Sequence, residues 1–302
     1  METHDNQRAA LFDLSDYAKI EVAGPDARIF LHNLCTQDVK DLPVGEWREA
    51  FLTTNKARAI AHVWITHREN NVLWLDMAAG QGGKVLQHLD HFLISEKVEL
   101  TDRTREFALF RLVGPKASEV MQRAAITPSR QHRLLALDGF DFFCPSAEAE
   151  SLRSRLGEAG AILARSETYD TLRIEAGLPQ FGIDIDEHRF VVEVNRTAQA
   201  ISYAKGCYLG QETIVMARDR GQVNRLLVGV KVAEGAPLAA GTKLFRASEE
   251  VGQVTSSTFS PRLGQVIALA YLRRGSWDAG TEVVIDPPSD GRPAIVCALP
   301  FV

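Results

Sequence analysis

Cysteine is scarce in this chain, and what there is lies scattered. The four cysteines, Cys35, Cys144, Cys207 and Cys297, form no C-x-x-C pair, and none stands at zinc spacing from a histidine. A disulfide-stapled secreted scaffold and a self-contained metal site are therefore not expected. The eight histidines contain no H-x-x-x-H pair, so His62 and His67, like His88 and His91, read as surface or core residues rather than ligands. Long apolar runs are missing too. Nothing approaches the roughly 20 residues of a membrane helix, and the opening METHDNQRAA has no basic-then-apolar export pattern. A cytoplasmic chain with no membrane partner is the expectation. Positive charge is not in surplus: 34 Lys and Arg against 39 Asp and Glu leave a net charge of -5. That argues against a general nucleic-acid surface, so no direct nucleic-acid partner is expected, while a local basic patch stays possible.

What is present is an ordinary globular balance, 45% apolar and 24% charged, over 302 residues, enough for two or three domains. The first half contains a repeat. "KIEVAGPDARIFLHNL" (19–34) and "LFRLVGPKASEVMQRA" (109–124) each carry a Gly-Pro. Four and two residues before the glycine stand Ile20 and Val22 in one copy, Phe110 and Leu112 in the other, which is strand period. After it, Ala27, Phe30, Leu31 and Leu34 match Ala117, Val120, Met121 and Ala124, which is one helical face. "NVLWLDM" (71–77) and a helix over 83–94 continue the first copy; "GFDFFC" (139–144) and a helix over 148–160 continue the second. The first copy also inserts a hairpin over 47–67. Two related βαββαβ-like, ferredoxin-like lobes of α+β class follow. From Arg225 on, short strand-like runs between Gly, Pro, Asp and Ser predict a small β-barrel. The expected division is a first lobe over 1–103 completed by 166–222, a second lobe over 104–165 and a barrel over 223–302.

The chemistry-bearing residues gather in 166–225. "TYDTLRIEAG" predicts a helix capped by Gly177, with Glu175 in its last turn, where the negative helix end disfavours a carboxylate. A glutamate held there can have a hydrogen-bonding task, or it can be a solvated surface residue. Asp184 and Asp186 alternate with Ile183 and Ile185 and read as a half-exposed strand or turn. "KGCYLGQE" (205–212) sets Cys207 between Gly206 and Gly210, beside Tyr208, with Gln211 and Glu212 opening a helix. Lys205 would lower the pKa of a nearby thiol, and the helix amides could hold an anion. A small cysteine in a tight turn explains the octet equally well. Arg218, Arg220 and Arg225 form a local positive cluster suited to a carboxylate-bearing ligand, or are simply solvated.

At these residues the chain resembles a known family. "KGCYLGQE" followed by R-x-R-G-x-V-x-R (218–225) looks like the signature of the YgfZ-type folate-binding proteins. These are implicated in assembly or repair of iron–sulfur enzymes, some of which modify tRNA, and are relatives of the glycine-cleavage aminomethyltransferase (T-protein). "LFDLSDYAKIEVAGPDARIFLHNLCTQDV" (11–39) and "RIEAGLPQFGIDIDE" (173–187) are similar to stretches both groups share. The resemblance covers nearly the whole chain. It implies a three-lobed ring, two α/β lobes and a barrel around a central folate channel, with tetrahydrofolate or a one-carbon derivative as cofactor. It implies that Glu175 hydrogen-bonds the pterin and that Tyr17 and Tyr169 face it.

One departure bears on activity. The aminomethyltransferases have a pattern like N-x-x-G-G-I-x-D-D, with an essential aspartate, where this chain reads "NKARAIAHV" (55–63), so the aspartate pair becomes His62 and Val63. Asp76 on the following strand is a carboxylate that could approach. The expectation is a folate-binding protein that assists iron–sulfur client or assembly proteins, with Cys207 as the candidate reactive residue. The alternative is a folate-dependent aminomethyltransferase or demethylase.

Overall fold

Period-two alternation settles which face each strand buries, and here both faces of two sheets are used. The computed structural model describes residues 8–221, 223–285 and 291–302. In chain order come β1 (Ala9–Asp13), β2 (Ala18–Ala23), α1 (Ala27–Leu34), β3 (Trp47–Thr53), β4 (Ala59–Arg68), β5 (Val72–Met77), α2 (Gly82–His91) and β6 (Glu99–Asp102). Then follow β7 (Phe107–Val113), α3 (Ala117–Ala124), β8 (Arg130–His132), β9 (Gly139–Pro145), α4 (Ala149–Glu158) and β10 (Ala161–Leu163). The middle segment holds α5 (Ser166–Glu175), α6 (Thr197–Ala200) and α7 (Gln211–Arg220). No described helix is long and apolar enough to cross a membrane.

The sheet β3-β4-β5-β2-β6 buries Ala18, Ile20 and Val22 under α1 and α2, against Phe30, Leu31, Leu34, Val85 and Leu89. The sheet β10-β1-β7-β9-β8 buries Phe110 and Leu112 under α3 and α4, against Val120, Leu152 and Leu156. The alternate residues of both sheets face each other. Trp64 of β4 packs there with Leu109 and Val113 of β7, beside Phe12, Tyr17 and Tyr169. Helices thus cover the two outer faces of a two-sheet sandwich.

The two Gly-Pro turns are the same device twice. Gly24 has φ +121° and Gly114 φ +127°, and a Cβ would lie 2.2 Å from Lys97 O in the first and 2.3 Å from Arg8 O in the second. No other residue tolerates that backbone at that approach. Each glycine touches the segment leading into a neighbouring strand, the edge strand β6 in the first sheet and β1, between β10 and β7, in the second. β6 pairs antiparallel with β2, and β1 pairs antiparallel with β7. The N-terminal strand therefore belongs to the second sheet, so the expected boundary at 103/104 is crossed by one strand. The cause is that strand partnership is a long-range choice that leaves no local pattern.

The barrel closes as β11 (Arg225–Val232), β12 (Lys243–Arg246), β13 (Glu249–Ser260), β14 (Gln265–Arg273), β15 (Glu282–Ile285) and β16 (Arg292–Cys297), in the order β11-β14-β13-β12-β15-β16. Val228, Val230, Val254, Ala270, Leu272 and Val296 fill it. β13 lies along α5, and the C-terminal tail returns to that helix, where Phe301 N donates to Glu175 O at 2.9 Å. The architecture is α+β, with one antiparallel sheet, one mixed sheet in which β1 and β10 run parallel, and a closed six-stranded barrel; the class and the barrel are as expected.

Candidate functional site

The hairpin β3–β4 is registered so that Phe51 pairs with His62 and Glu49 with Trp64. Alternation then puts Glu49, Phe51, His62 and Trp64 on the inner face of the sandwich. His62 is stacked on Phe51 with centroids 4.8 Å apart and tilted against Trp64 at 4.9 Å. Its Nε2 lies 2.8 Å from Glu49 Oε1. Arg196, just ahead of α6, donates through Nε to Glu49 Oε1 at 2.8 Å and through Nη2 to Oε2. Burial alone would push the Glu49 carboxyl up, but Arg196 and the His62 hydrogen bond hold it at about 2. An ionised carboxylate only accepts, so Nε2 is the donor of this hydrogen bond.

His62 faces a small cavity that it shares with Tyr17, Trp64, Tyr169, Arg173 and Phe181. The space is about 10 Å³, room for one water. Helix α5 delivers Tyr169 and Arg173, four residues apart, to this side. Tyr17 Oη lies 3.5 Å from Tyr169 Oη, which accepts from Arg111 Nη1 at 2.9 Å. Burial, then the Tyr169 hydroxyl, raises the Tyr17 phenol well above its ordinary value. On the other side of Glu49 opens a depression of about 580 Å³, lined by Trp47, Glu49, Arg133, Ala176, Arg196 and Pro300. Both sheets, the middle segment and the tail contribute to it. The Glu49–His62 pair is the wall between the two spaces.

The expected site residues divide. Tyr17 and Tyr169 meet at the cavity. Glu175, 1% exposed, is turned toward the barrel, where Oε1 accepts from Ser260 Oγ at 2.5 Å and Oε2 lies 3.5 Å from Arg262 Nη1 without a hydrogen-bond partner. Asp184 is not half-exposed as expected. It is buried and accepts from Arg173 Nη1 at 2.8 Å, Ser256 Oγ at 2.7 Å and Gln180 N at 2.9 Å, so it ties α5 to the barrel. Asp76 does not approach the cavity, because Arg130 grips both of its oxygens at 2.9 and 2.8 Å.

The octet 205–212 is a clamp with one exposed corner. Lys205 does not serve Cys207. Its ammonium is buried and donates to His32 O, to Cys35 O at 2.8 Å and to Gln37 O at 3.0 Å, at the C-terminal end of α1. Tyr208 is buried beneath it, with Nζ 4.7 Å from the ring centroid. Gly210 takes φ +85° with its Cα against the hairpin tip, where a Cβ would lie 2.7 Å from Thr54 O, and α7 begins at Gln211, followed by Glu212. Gly206 has open space around it, and Cys207 is exposed, whereas Cys35 and Cys144 are buried. Cys207 lines neither the cavity nor the depression. Nor do the three arginines. Arg218 pairs with Asp219 at 2.7 Å over the Tyr203 ring, and Arg220 and Arg225 are exposed. Among the described residues no group of three or more His, Cys, Asp or Glu could hold a metal ion.

Glu49 and Arg196 carry most of the site's charge and were not singled out in the sequence. The signal for Glu49 was available: it stands two residues before Phe51, on the face that hairpin register turns toward His62. Arg196 meets it across 147 residues, and nothing local announces that contact.

Residues 3–133 match the GCVT N-terminal domain, and residues 225–302 match the glycine cleavage T-protein C-terminal barrel domain. An aminomethyltransferase of Rubrobacter xylanophilus is 32% identical, over 97% of this chain and 83% of that protein. The chain belongs to the glycine cleavage T-protein family. An aminomethyltransferase of Thermus thermophilus is 28% identical over 100% of the chain and 90% of its own length. The crystal structure of the glycine cleavage system aminomethyltransferase T from Bartonella henselae superposes with a TM-score of 0.91 at 26% identity, covering 99% of this chain and 88% of that one. The relation to the glycine-cleavage T-protein implied by the sequence motifs is thus shown, as is the fold, without the finer YgfZ-type assignment.

Proposed function

We propose that this T-protein relative binds tetrahydrofolate or a one-carbon derivative at its centre and serves iron–sulfur enzymes rather than transferring an aminomethyl group. One observation carries the reading: the Glu49–His62–Arg196 clasp at the hairpin position where the aminomethyltransferase pattern has its aspartate. A carboxylate facing the reacting centre would stabilise an iminium-like carbon. Here the negative charge sits behind an imidazole and is neutralised by Arg196.

The space available for a folate supports the depression as its place. The cavity at Tyr17 and Tyr169 takes a water and no pteridine, whereas about 580 Å³ is ligand-sized. Trp47 would offer a face, the Glu49 carboxylate an acceptor, and Arg133 and Arg196 charges for an acidic tail. Glu175 lines neither space and is turned to Ser260 and Arg262, so it takes no part in the depression. The exposed Cys207 on a rigidly held turn, outside both spaces, suits a thiol that meets a partner or an oxidant.

Calorimetric titration with a reduced folate tests the binding half, and absence of saturable heat would sink it. A deletion strain complemented with wild type or Cys207→Ala tests the second half through iron–sulfur enzyme activities. The transferase reading is favoured by the names of the relatives and by the His62 imidazole at the cavity. Formation of methylene-tetrahydrofolate from an aminomethyl donor at enzymatic rates would establish it in place of ours.

A further inference from the structure

The sandwich has a second end. β4 runs on from His62 to Arg68, a distance of roughly 20 Å at strand rise, and there the two sheets part over a groove of about 450 Å³. Register puts three donors on one face of it. Thr66 pairs across the β4–β5 ladder with Trp74, and Arg68 follows two residues after Thr66. Trp74 is 1% exposed, held edge-on by Phe107 at 4.9 Å and Phe143 at 5.8 Å. Its Nε1 is buried and has no hydrogen-bond partner, and the same holds for Thr66 Oγ1. The Arg68 guanidinium lies 4.7 Å above the Trp74 ring and makes no hydrogen bond or ion pair among the described residues.

Buried polar atoms are normally satisfied, and an unpaired indole N–H costs the fold its full desolvation penalty. Two such atoms side by side, under a guanidinium with nothing to bond, leave a deficit of acceptors. An oxyanion supplies what is missing. Its charge is limited by the walls, since Glu21, already 3.0 Å from Arg103, and Glu69 also line the groove. A dianion would be repelled there, whereas a single carboxylate is matched by Arg68, and an ammonium on the same molecule would be matched by the glutamates.

We propose that this groove is a second ligand site, taking a small monoanionic carboxylate of the amino-acid type, with Arg68, Trp74 Nε1 and Thr66 Oγ1 as donors. It does not rest on the folate reading: the groove and the central depression are neighbours, with Trp47 of one paired across the ladder to Thr66 of the other, but they share no lining residue.

The four tryptophans make the test direct. In ¹⁵N-labelled protein the Trp74 indole signal is assigned by its loss in Trp74→Phe. Glycine, acetate and inorganic phosphate are then titrated separately. The expected result is a saturable shift of the Trp74 signal with glycine and acetate. Loss of a charge-assisted bond in Arg68→Gln weakens this by about tenfold or more, Arg68→Lys restores part of it, and the other indole signals stay in place to show that both variants fold. A Trp74 signal unmoved by carboxylates at millimolar concentration overturns the site, as water alone would then fill it. Tighter saturation by phosphate than by acetate, equal shifts in Arg68→Gln, or a response confined to Trp47 in the central depression would each overturn it as well.

Discussion

Two buried ion clusters lie on the same sandwich interface and differ in what surrounds them. In one, Asp141 accepts from Arg111 Nε and Nη2 at 2.8 and 2.9 Å, from Arg130 Nε at 2.9 Å and from His132 Nε2 at 3.0 Å, while Arg130 also grips Asp76. All of these side chains are 0% exposed. Against a burial penalty that would raise it, Arg111 and Arg130 hold the Asp141 carboxyl well below its usual range. In the other, Glu49 has only His62 and Arg196, with Arg196 13% exposed and open space on both sides. A charge whose every lone pair is taken by the protein holds the fold together. A charge at the wall of a cavity is available to a ligand.

The sharpest way to break that contrast is at Arg130. Arg130→Ala strips the buried Asp76 of its guanidinium and leaves it facing an Asp141 still held by Arg111 and His132, and should cost about 3–5 kcal/mol in urea unfolding. Protein that remains folded should keep its reduced-folate affinity. Glu49→Gln keeps the shape of the second cluster and should cost less, about 2–3 kcal/mol at neutral pH, while weakening folate binding. The pH profile separates the two. Glu49 titrates near 4.5 when unfolded and near 2 when folded, so its contribution is complete above pH 4.5 and lost as pH falls through 2. Wild-type stability should drop by about 3 kcal/mol across that window from this group. Glu49→Gln should be flatter there. Equal acid sensitivity of the two proteins would mean that Glu49 is not ionised in the fold.

The same distinction explains what was legible in the sequence. Ile20, Val22, Phe110 and Leu112 betray their strands because one face must pack under helices, and that demand is written every second residue. Gly24 and Gly114 betray the repeat because only glycine survives a carbonyl at that distance. Partnerships across the chain leave no such trace. Asp184 looked half-exposed by alternation, yet Arg173 on α5 and Ser256 on β13 bury it. β1 carried no sign that it pairs with β7. Lys205 stands two residues from Cys207, but three carbonyls at the end of α1 claim its donors. Motifs were legible, while the direction in which their side chains point was not.

The octet 205–212 repeats the contrast within eight residues and predicts the smallest effect. Gly210 is held: a methyl group there meets the Thr54 carbonyl at 2.7 Å with φ at +85°, so Gly210→Ala should cost roughly 1–3 kcal/mol and lower the thermal midpoint. Cys207 is exposed, and no hydrogen bond of its side chain is found among the described residues. Cys207→Ala should change stability by less than about 0.5 kcal/mol, as for other surface substitutions. If the thiol serves iron–sulfur partners, that silent change should nonetheless lower the activity of their enzymes in complemented cells, whereas Gly210→Ala should act only through the amount of folded protein. Normalising enzyme activity to soluble protein separates the two, because a loss with Cys207→Ala that persists after normalisation cannot come from the turn's stability. Full activity with Cys207→Ala would leave the octet as a clamp between α1 and the hairpin, and its cysteine as a small residue at an exposed corner.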